Sequence, residues 1–223
     1  MNFIEYADRD ALMLDLADII AGELRAALDH SDRASLCVPG GTTPGPIFDT
    51  LSGVPLAWDR IDILLNDERW VSETSDRSNT ALLKRRLVTG HAAGAALIPL
   101  HTDVPTPEEG LDGLMPAVDA ALPLDVLVLG MGLDMHTASL FPGADQLALG
   151  LSDDAPTLLA MRAPGAPEPR ITLSAKALKS AVSTHILITG TEKRDALERA
   201  RKLQPFDAPI AAFLQGATVH WAA

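Results

Sequence analysis

Leu124-Asp125-Val126-Leu127-Val128-Leu129-Gly130-Met131-Gly132-Leu133-Asp134-Met135-His136-Thr137-Ala138-Ser139-Leu140-Phe141-Pro142 is the stretch on which the reading of this chain turns. Its first six residues are apolar apart from one early Asp, the pattern of a buried parallel strand. Two glycines then let the backbone turn tightly and approach a ligand, and a carboxylate and an imidazole follow two residues apart. A Gly-x-Gly alone fits an ordinary strand-to-helix turn with a solvated Asp and His. The same residues are what an active site at the carboxyl edge of a parallel sheet requires.

Upstream, Ala34-Ser35-Leu36-Cys37-Val38 reads as a buried strand feeding Pro39-Gly40-Gly41-Thr42-Thr43-Pro44, with a helix after Pro44. A glycine pair in this position turns backbone N–H groups toward an anion, and threonine hydroxyls add donors. It is no Walker motif, because the Gly-Lys-Ser/Thr ending is missing. Ile61-Asp62-Ile63-Leu64-Leu65-Asn66 is a third strand, and Asp67-Glu68-Arg69 gathers charge at its end. Residues 8–29 carry Leu12, Leu16, Ile20, Leu24 and Leu28 on one stripe, an amphipathic packing helix.

Downstream, Thr157–Met161, Arg170–Ser174 and His185–Gly190 read as strands, and the tail is a short helix with a closing strand over Ala217–Trp221. Arg170 and Lys193 fit either surface cations or an anion site. His91, His101 and His220 lack partners at ligand spacing and read as surface or structural residues.

Four blocks together resemble the 6-phosphogluconolactonase family. Gly130 to Pro142 is similar to that family's Gly-x-Gly-x-Asp-Gly-His-Thr-Ala-Ser-Leu-Phe-Pro, with Met135 in place of a glycine. Pro39 to Pro44 is similar to its Ser-Gly-Gly-Ser-Thr-Pro loop, with Pro39 removing one hydroxyl and one N–H. Asp67-Glu68-Arg69-Trp70-Val71 followed by Ser78-Asn79, and the pair Arg170-Ile171-Thr172-Leu173 and Gly190-Thr191-Glu192-Lys193, match its remaining blocks. The resemblance spans most of the chain.

Strands alternating with helices predict an α/β fold, a mainly parallel sheet with helices on both faces and one domain over residues 1–223. The resemblance implies its Rossmann-like version, shared with glucosamine-6-phosphate deaminases and ribose-5-phosphate isomerase. It also implies hydrolysis of 6-phospho-D-glucono-1,5-lactone, the second step of the oxidative pentose phosphate pathway. On that reading His136 is the general base and Asp134 orients it or positions the water. Arg69 and backbone amides near Gly132 face the lactone oxygen, with Asp67 also facing the substrate. Gly40, Gly41, Thr42, Thr43, Arg170 and Lys193 hold the phosphate. The alternatives are a glucosamine-6-phosphate deaminase or isomerase, and a sugar-phosphate sensor without catalysis. Deaminases of this fold place a carboxylate five residues after the histidine, where this chain has Phe141.

Composition narrows the field further. A net charge of -12 argues against nucleic acid or an anionic membrane as the main partner. No apolar run approaches the roughly 18 residues of a membrane span, and the N-terminus lacks a signal-peptide pattern. A lone cysteine, Cys37, lies in an apolar run and reads as a core residue of a reducing compartment. No cofactor or metal is expected, since there is no His-Glu-x-x-His and one cysteine excludes a thiolate cluster. A cytoplasmic monomer acting on a small sugar phosphate is the expectation. Met135 is expected to have drawn its loop into an ordinary backbone conformation while filling an apolar gap, the alternative being local strain.

Overall fold

Every residue of the strand Ala34–Val38 is buried, so the sheet that contains it is covered on both faces. The computed structural model describes all of residues 1–223. In chain order it contains β1 (Asn2–Glu5), α1 (Arg9–Leu28), β2 (Ala34–Val38), α2 (Gly45–Ser52), β3 (Ile61–Leu65) and β4 (Asp67–Arg69). There follow α3 (Asn79–Arg86), β5 (Ala96–Ile98), α4 (Pro107–Ala120), β6 (Val126–Gly130), α5 (Leu147–Leu151) and β7 (Leu158–Met161). The last third holds β8 (Arg170–Leu173), α6 (Ala175–Leu178), β9 (Ser183–Thr189), α7 (Thr191–Ala200) and β10 (Thr218–Ala222).

Seven strands make one sheet in the order β1-β10-β9-β6-β2-β3-β5, and every pair in it is parallel. From β2 the chain winds outward through β3 to β5, and from β6 it winds the other way through β9 to β10. The direction of winding therefore reverses between β2 and β6, and ligands of open α/β sheets bind at the carboxyl ends of the strands at such a point.

Helix α1 begins where the Asp8 carboxylate accepts from the Ala11 N–H at 2.8 Å, a side-chain cap worth about 1 kcal/mol. Its stripe of Leu12, Leu16, Ile20 and Leu24 is buried, as its spacing predicts, and the helix packs on α2, β10, β2 and β6. Cys37 lies inside the core, and burial pushes its thiol up, away from reactivity.

The sequence pattern did not anticipate two short strands, β1 and β4, or the sheet that β4 joins. Strands β4, β8 and β7 form a separate antiparallel sheet. Asn66 is its junction with the parallel one. The Asn66 N–H donates to the Val38 carbonyl (3.0 Å), its own carbonyl accepts from the Leu173 N–H (3.0 Å), and its Nδ2 donates to the Val128 carbonyl (3.1 Å). A single hydrophobic cluster includes Leu12, Leu36 and Val128 with Leu158, Ile171 and Leu173, so both sheets share one core.

Candidate active site

The segment after β6 closes on itself. The Gly132 N–H donates to the His136 carbonyl (2.9 Å), and the Met135 N–H donates to the Gly132 carbonyl (3.0 Å). This turn folds Asp134 and His136 back over Gly132. A Cβ on Gly132 would lie well under 3.0 Å from His136 Nδ1 and Asp134 Oδ1, so only glycine fits. Asp134 Oδ1 meets His136 Nδ1 at 2.5 Å. Burial pushes the Asp134 carboxyl up, but the hydrogen bond and charge of His136 outweigh this and hold it below the usual carboxylate range. An ionised Asp134 accepts a hydrogen bond from Nδ1–H, which leaves Nε2 of the neutral imidazole as the nitrogen with a lone pair. The imidazole also stacks on Phe141, with ring centroids 4.1 Å apart and planes 27° from parallel.

Two expectations for this segment are corrected. The Gly132 amide is committed to the His136 carbonyl, so it does not face a ligand oxygen; the glycine provides clearance instead. Met135 has φ 67°, in the left-handed region, because the turn that brings His136 over Gly132 reverses the chain at that residue. Its loop has not relaxed to an ordinary conformation. The expected packing does hold: Met135 is half-buried against the core, and its carbonyl accepts from the Ile210 N–H at 3.1 Å.

At the end of β2, the N–H groups of Gly40, Gly41, Thr42 and Thr43 donate to no other protein group. Gly41 has φ 85°, the left-handed conformation that glycine adopts without a side-chain clash. Gly40 lies against the Asn79 carboxamide with no room for a Cβ. The cavity wall takes in Gly40, Gly41 and Thr43 but not Thr42.

The antiparallel sheet supplies two of the three cations, Arg69 and Arg170. Asp67 pairs with Thr172 and Arg69 with Arg170 across β4 and β8. Asp67 Oδ2 accepts from the Ser139 hydroxyl (2.5 Å) and faces Arg170 at 3.5 Å, with both charged side chains largely buried. Arg69 donates to the Arg77 carbonyl at 2.9 Å. Lys193, in the first turn of α7, donates to the Met131 carbonyl, and burial lowers its pKa although Asp134 acts the other way. The Nε atoms of Arg69 and Arg170 and Oδ1 of Asn66 are buried at this wall without a partner. Unpaired groups of this kind cost about 1–3 kcal/mol each and collect at functional sites.

Glu68 organises this wall without belonging to it. Fully buried, its carboxylate accepts from the N–H groups of Arg69 (2.7 Å), Asn79 (2.9 Å) and Thr80 (2.7 Å) and from the Ser78 hydroxyl (3.1 Å). Four donors and the start of α3 hold a charge that has no cation beside it. Asn79 also reaches the cavity and donates to the Asp67 carbonyl at 3.1 Å. The charge cluster at 67–69 with Ser78-Asn79 was the only signal in the sequence for either residue.

These groups surround one cavity of about 250 Å³ at the carboxyl ends of β2 and β6, the winding reversal of the sheet. His136, Asp67, Arg69, Arg170 and Lys193 all line it. Asp134 stands behind His136. Fold and site define an open α/β protein of the doubly wound class with a cation-lined cavity at its strand ends.

Comparison with known proteins makes this specific. The family model for glucosamine-6-phosphate isomerases/6-phosphogluconolactonase matches residues 7–221, and the chain belongs to that family. A 6-phosphogluconolactonase of Mesorhizobium japonicum is 39% identical over 99% of this chain and 95% of its own length. One from Pseudomonas aeruginosa is 40% identical over 92% of this chain and 88% of its own. A crystal structure of a 6-phosphogluconolactonase from Shewanella baltica superposes with a TM-score of 0.94 at 34% identity, covering 100% of this chain and 98% of that one.

Proposed function

We propose that this chain hydrolyses 6-phospho-D-glucono-1,5-lactone to 6-phospho-D-gluconate, in the oxidative pentose phosphate pathway. The observation that carries this reading is the His136–Asp134 pair at a cavity lined by Arg69, Arg170 and Lys193. The named relatives, matched over nearly their whole length, support the same activity.

A lactone is an activated ester and needs a base for water and donors for the developing oxyanion. Nε2 of His136 takes a proton as water attacks C1, and Asp134 holds the resulting imidazolium. Arg69 stabilises charge on the lactone oxygen. When the intermediate collapses, the bond from C1 to the ring oxygen breaks and His136 returns the proton to that oxygen, giving the 5-hydroxyl and a carboxylic acid, which releases its remaining proton to solvent and leaves the carboxylate. Gly40, Gly41 and Thr43, with Arg170 and Lys193, hold the phosphate and so fix C1 beside the base.

We propose in addition that the enzyme works as a monomer. No helix is long and apolar enough to cross a membrane, and we place the enzyme in the cytosol. A glucosamine-6-phosphate deaminase is the second reading. Phe141 weighs against it, because a phenyl ring cannot relay the ring-opening proton.

A pH-stat assay with freshly generated 6-phosphogluconolactone, corrected for spontaneous hydrolysis, tests the proposal. His136→Asn is expected to reduce kcat by at least ~10²-fold while 6-phosphogluconate still binds. Absence of wild-type turnover, or ammonia release from glucosamine 6-phosphate, would reject it.

A further inference from the structure

Phe141 touches two of the groups just assigned. Its ring lies under the His136 imidazole at 4.1 Å between centroids, and the Arg170 guanidinium carbon lies 5.3 Å from the same ring. Phe141 itself is buried, and Leu140 and Pro142 fix the chain on either side of it. His136 is thus confined on three sides: Gly132 beside its Nδ1 edge, Asp134 bonded to Nδ1 and Phe141 stacked on its face.

We propose that Phe141 is a positioning residue for the reaction, acting through His136. The proposal rests on the lactonase reading and deepens it. Asp134 can fix which nitrogen carries the proton, but one hydrogen bond leaves the imidazole free to rock about that bond. A stacked ring removes the rocking, so Nε2 keeps its aim at the cavity. The phenyl face also carries negative quadrupole density, and imidazole becomes imidazolium only as water loses its proton. The attraction therefore grows on the way to the transition state, which marks an effect on kcat rather than on binding. Arg170 retains Asp67 as a partner when the ring is removed, so the anion site survives the loss.

Three variants separate this role from simple core packing. Phe141→Leu and Phe141→Met keep an apolar side chain of comparable volume without an aromatic face, whereas Phe141→Tyr keeps the face. The expected result is a kcat lowered roughly 5- to 30-fold in Leu and Met, with KM within about threefold and Tyr close to wild type. Proton NMR of His136 reads the stack independently of turnover, as an upfield ring-current shift that Leu and Met abolish. The proposal is overturned if Leu or Met keeps wild-type kcat, if all three variants lose activity alike, or if the wild-type enzyme lacks the ring-current shift. A wild-type enzyme inactive on the lactone would reject the function, while the NMR shift would still report whether the stack exists.

Discussion

Gly132 and His136 occupy space that only one of them can fill with a side chain: a β-carbon on Gly132 would collide with the imidazole Nδ1 and with the carboxylate bound to it. Gly132→Ala is therefore expected to push the imidazole off its aim. Displacement of a catalytic group by about 1 Å can cost on the order of 10²-fold in rate. Steady-state kinetics should show that loss in kcat, with Tm lowered only slightly, because the turn lies at the surface of the cavity. Retention of full activity would mean that the dyad is not held as described.

Met135 now carries a prediction of definite sign. A methionine at φ 67° bears about 1–2 kcal/mol of backbone strain, which alanine would share and glycine would not. Both substitutions lose the same packing to within a methyl group. Met135→Gly should therefore unfold at least ~2 °C above Met135→Ala, the reverse of the usual order for this pair of residues. Differential scanning calorimetry of the two variants decides it.

The phosphate clamp predicts a substrate-dependent pattern. Arg170→Ala and Lys193→Ala each remove a cation from the cavity wall, and each should raise KM for the phosphorylated lactone by roughly 10-fold or more. Hydrolysis of unphosphorylated gluconolactone should change far less. Equal losses on both substrates would move these cations from the phosphate to the reacting carbonyl.

Stability in acid should depend on a partly buried hydrogen-bond chain whose members do not line the cavity. The Tyr6 hydroxyl donates to Asp15 (2.8 Å) and accepts from His220 Nδ1 (2.8 Å); His220 Nε2 meets His185 Nδ1 (3.0 Å), and His185 Nε2 meets Glu23 (2.8 Å). His220 is structural, as its sequence position suggests, but it has the partners that the sequence did not reveal. Burial, then the neighbouring His185, holds its pKa down to about 4 from an ordinary 6.5. Between those values the unfolded chain binds a proton that the folded one refuses. The stabilisation is therefore complete above pH ~6.5 and is lost as pH falls toward 4, a change of about 3 kcal/mol at most. Glu23 acts in the same direction at lower pH: burial raises its carboxyl, but hydrogen bonds from His185 and Ser183 outweigh this and hold it down. Urea denaturation at pH 7 and 4.5 should show the loss in wild type and a smaller one in His220→Gln.

The strand and loop grammar of the site was legible because it is local. A run such as Leu124–Leu129 ending in two glycines announces both a buried strand and the turn after it, and the block at 39–44 announces its own in the same way. What could not be read depends on distant parts of the chain. Residues 67–69 are too short to show strand periodicity, and only pairing with Arg170–Thr172 makes them a strand. The left-handed turn at Met135 is imposed by the return of His136 over Gly132, against the preference of methionine itself. The buried charge of Glu68 looks like half of a surface ion pair until the start of α3 folds onto it.

Asn66 joins two sheets that contribute different halves of the cavity: the base comes from the loop after β6, while Asp67, Arg69 and Arg170 come from strands β4 and β8. The link between Asp67 and Arg170 spans 103 residues of chain, so the second half closes only after a long loop has been ordered. Catalytic competence is therefore expected late in folding. After dilution from denaturant, the helical circular-dichroism signal should return first and lactone hydrolysis afterwards, making enzyme activity a clock for the docking of one sheet against the other.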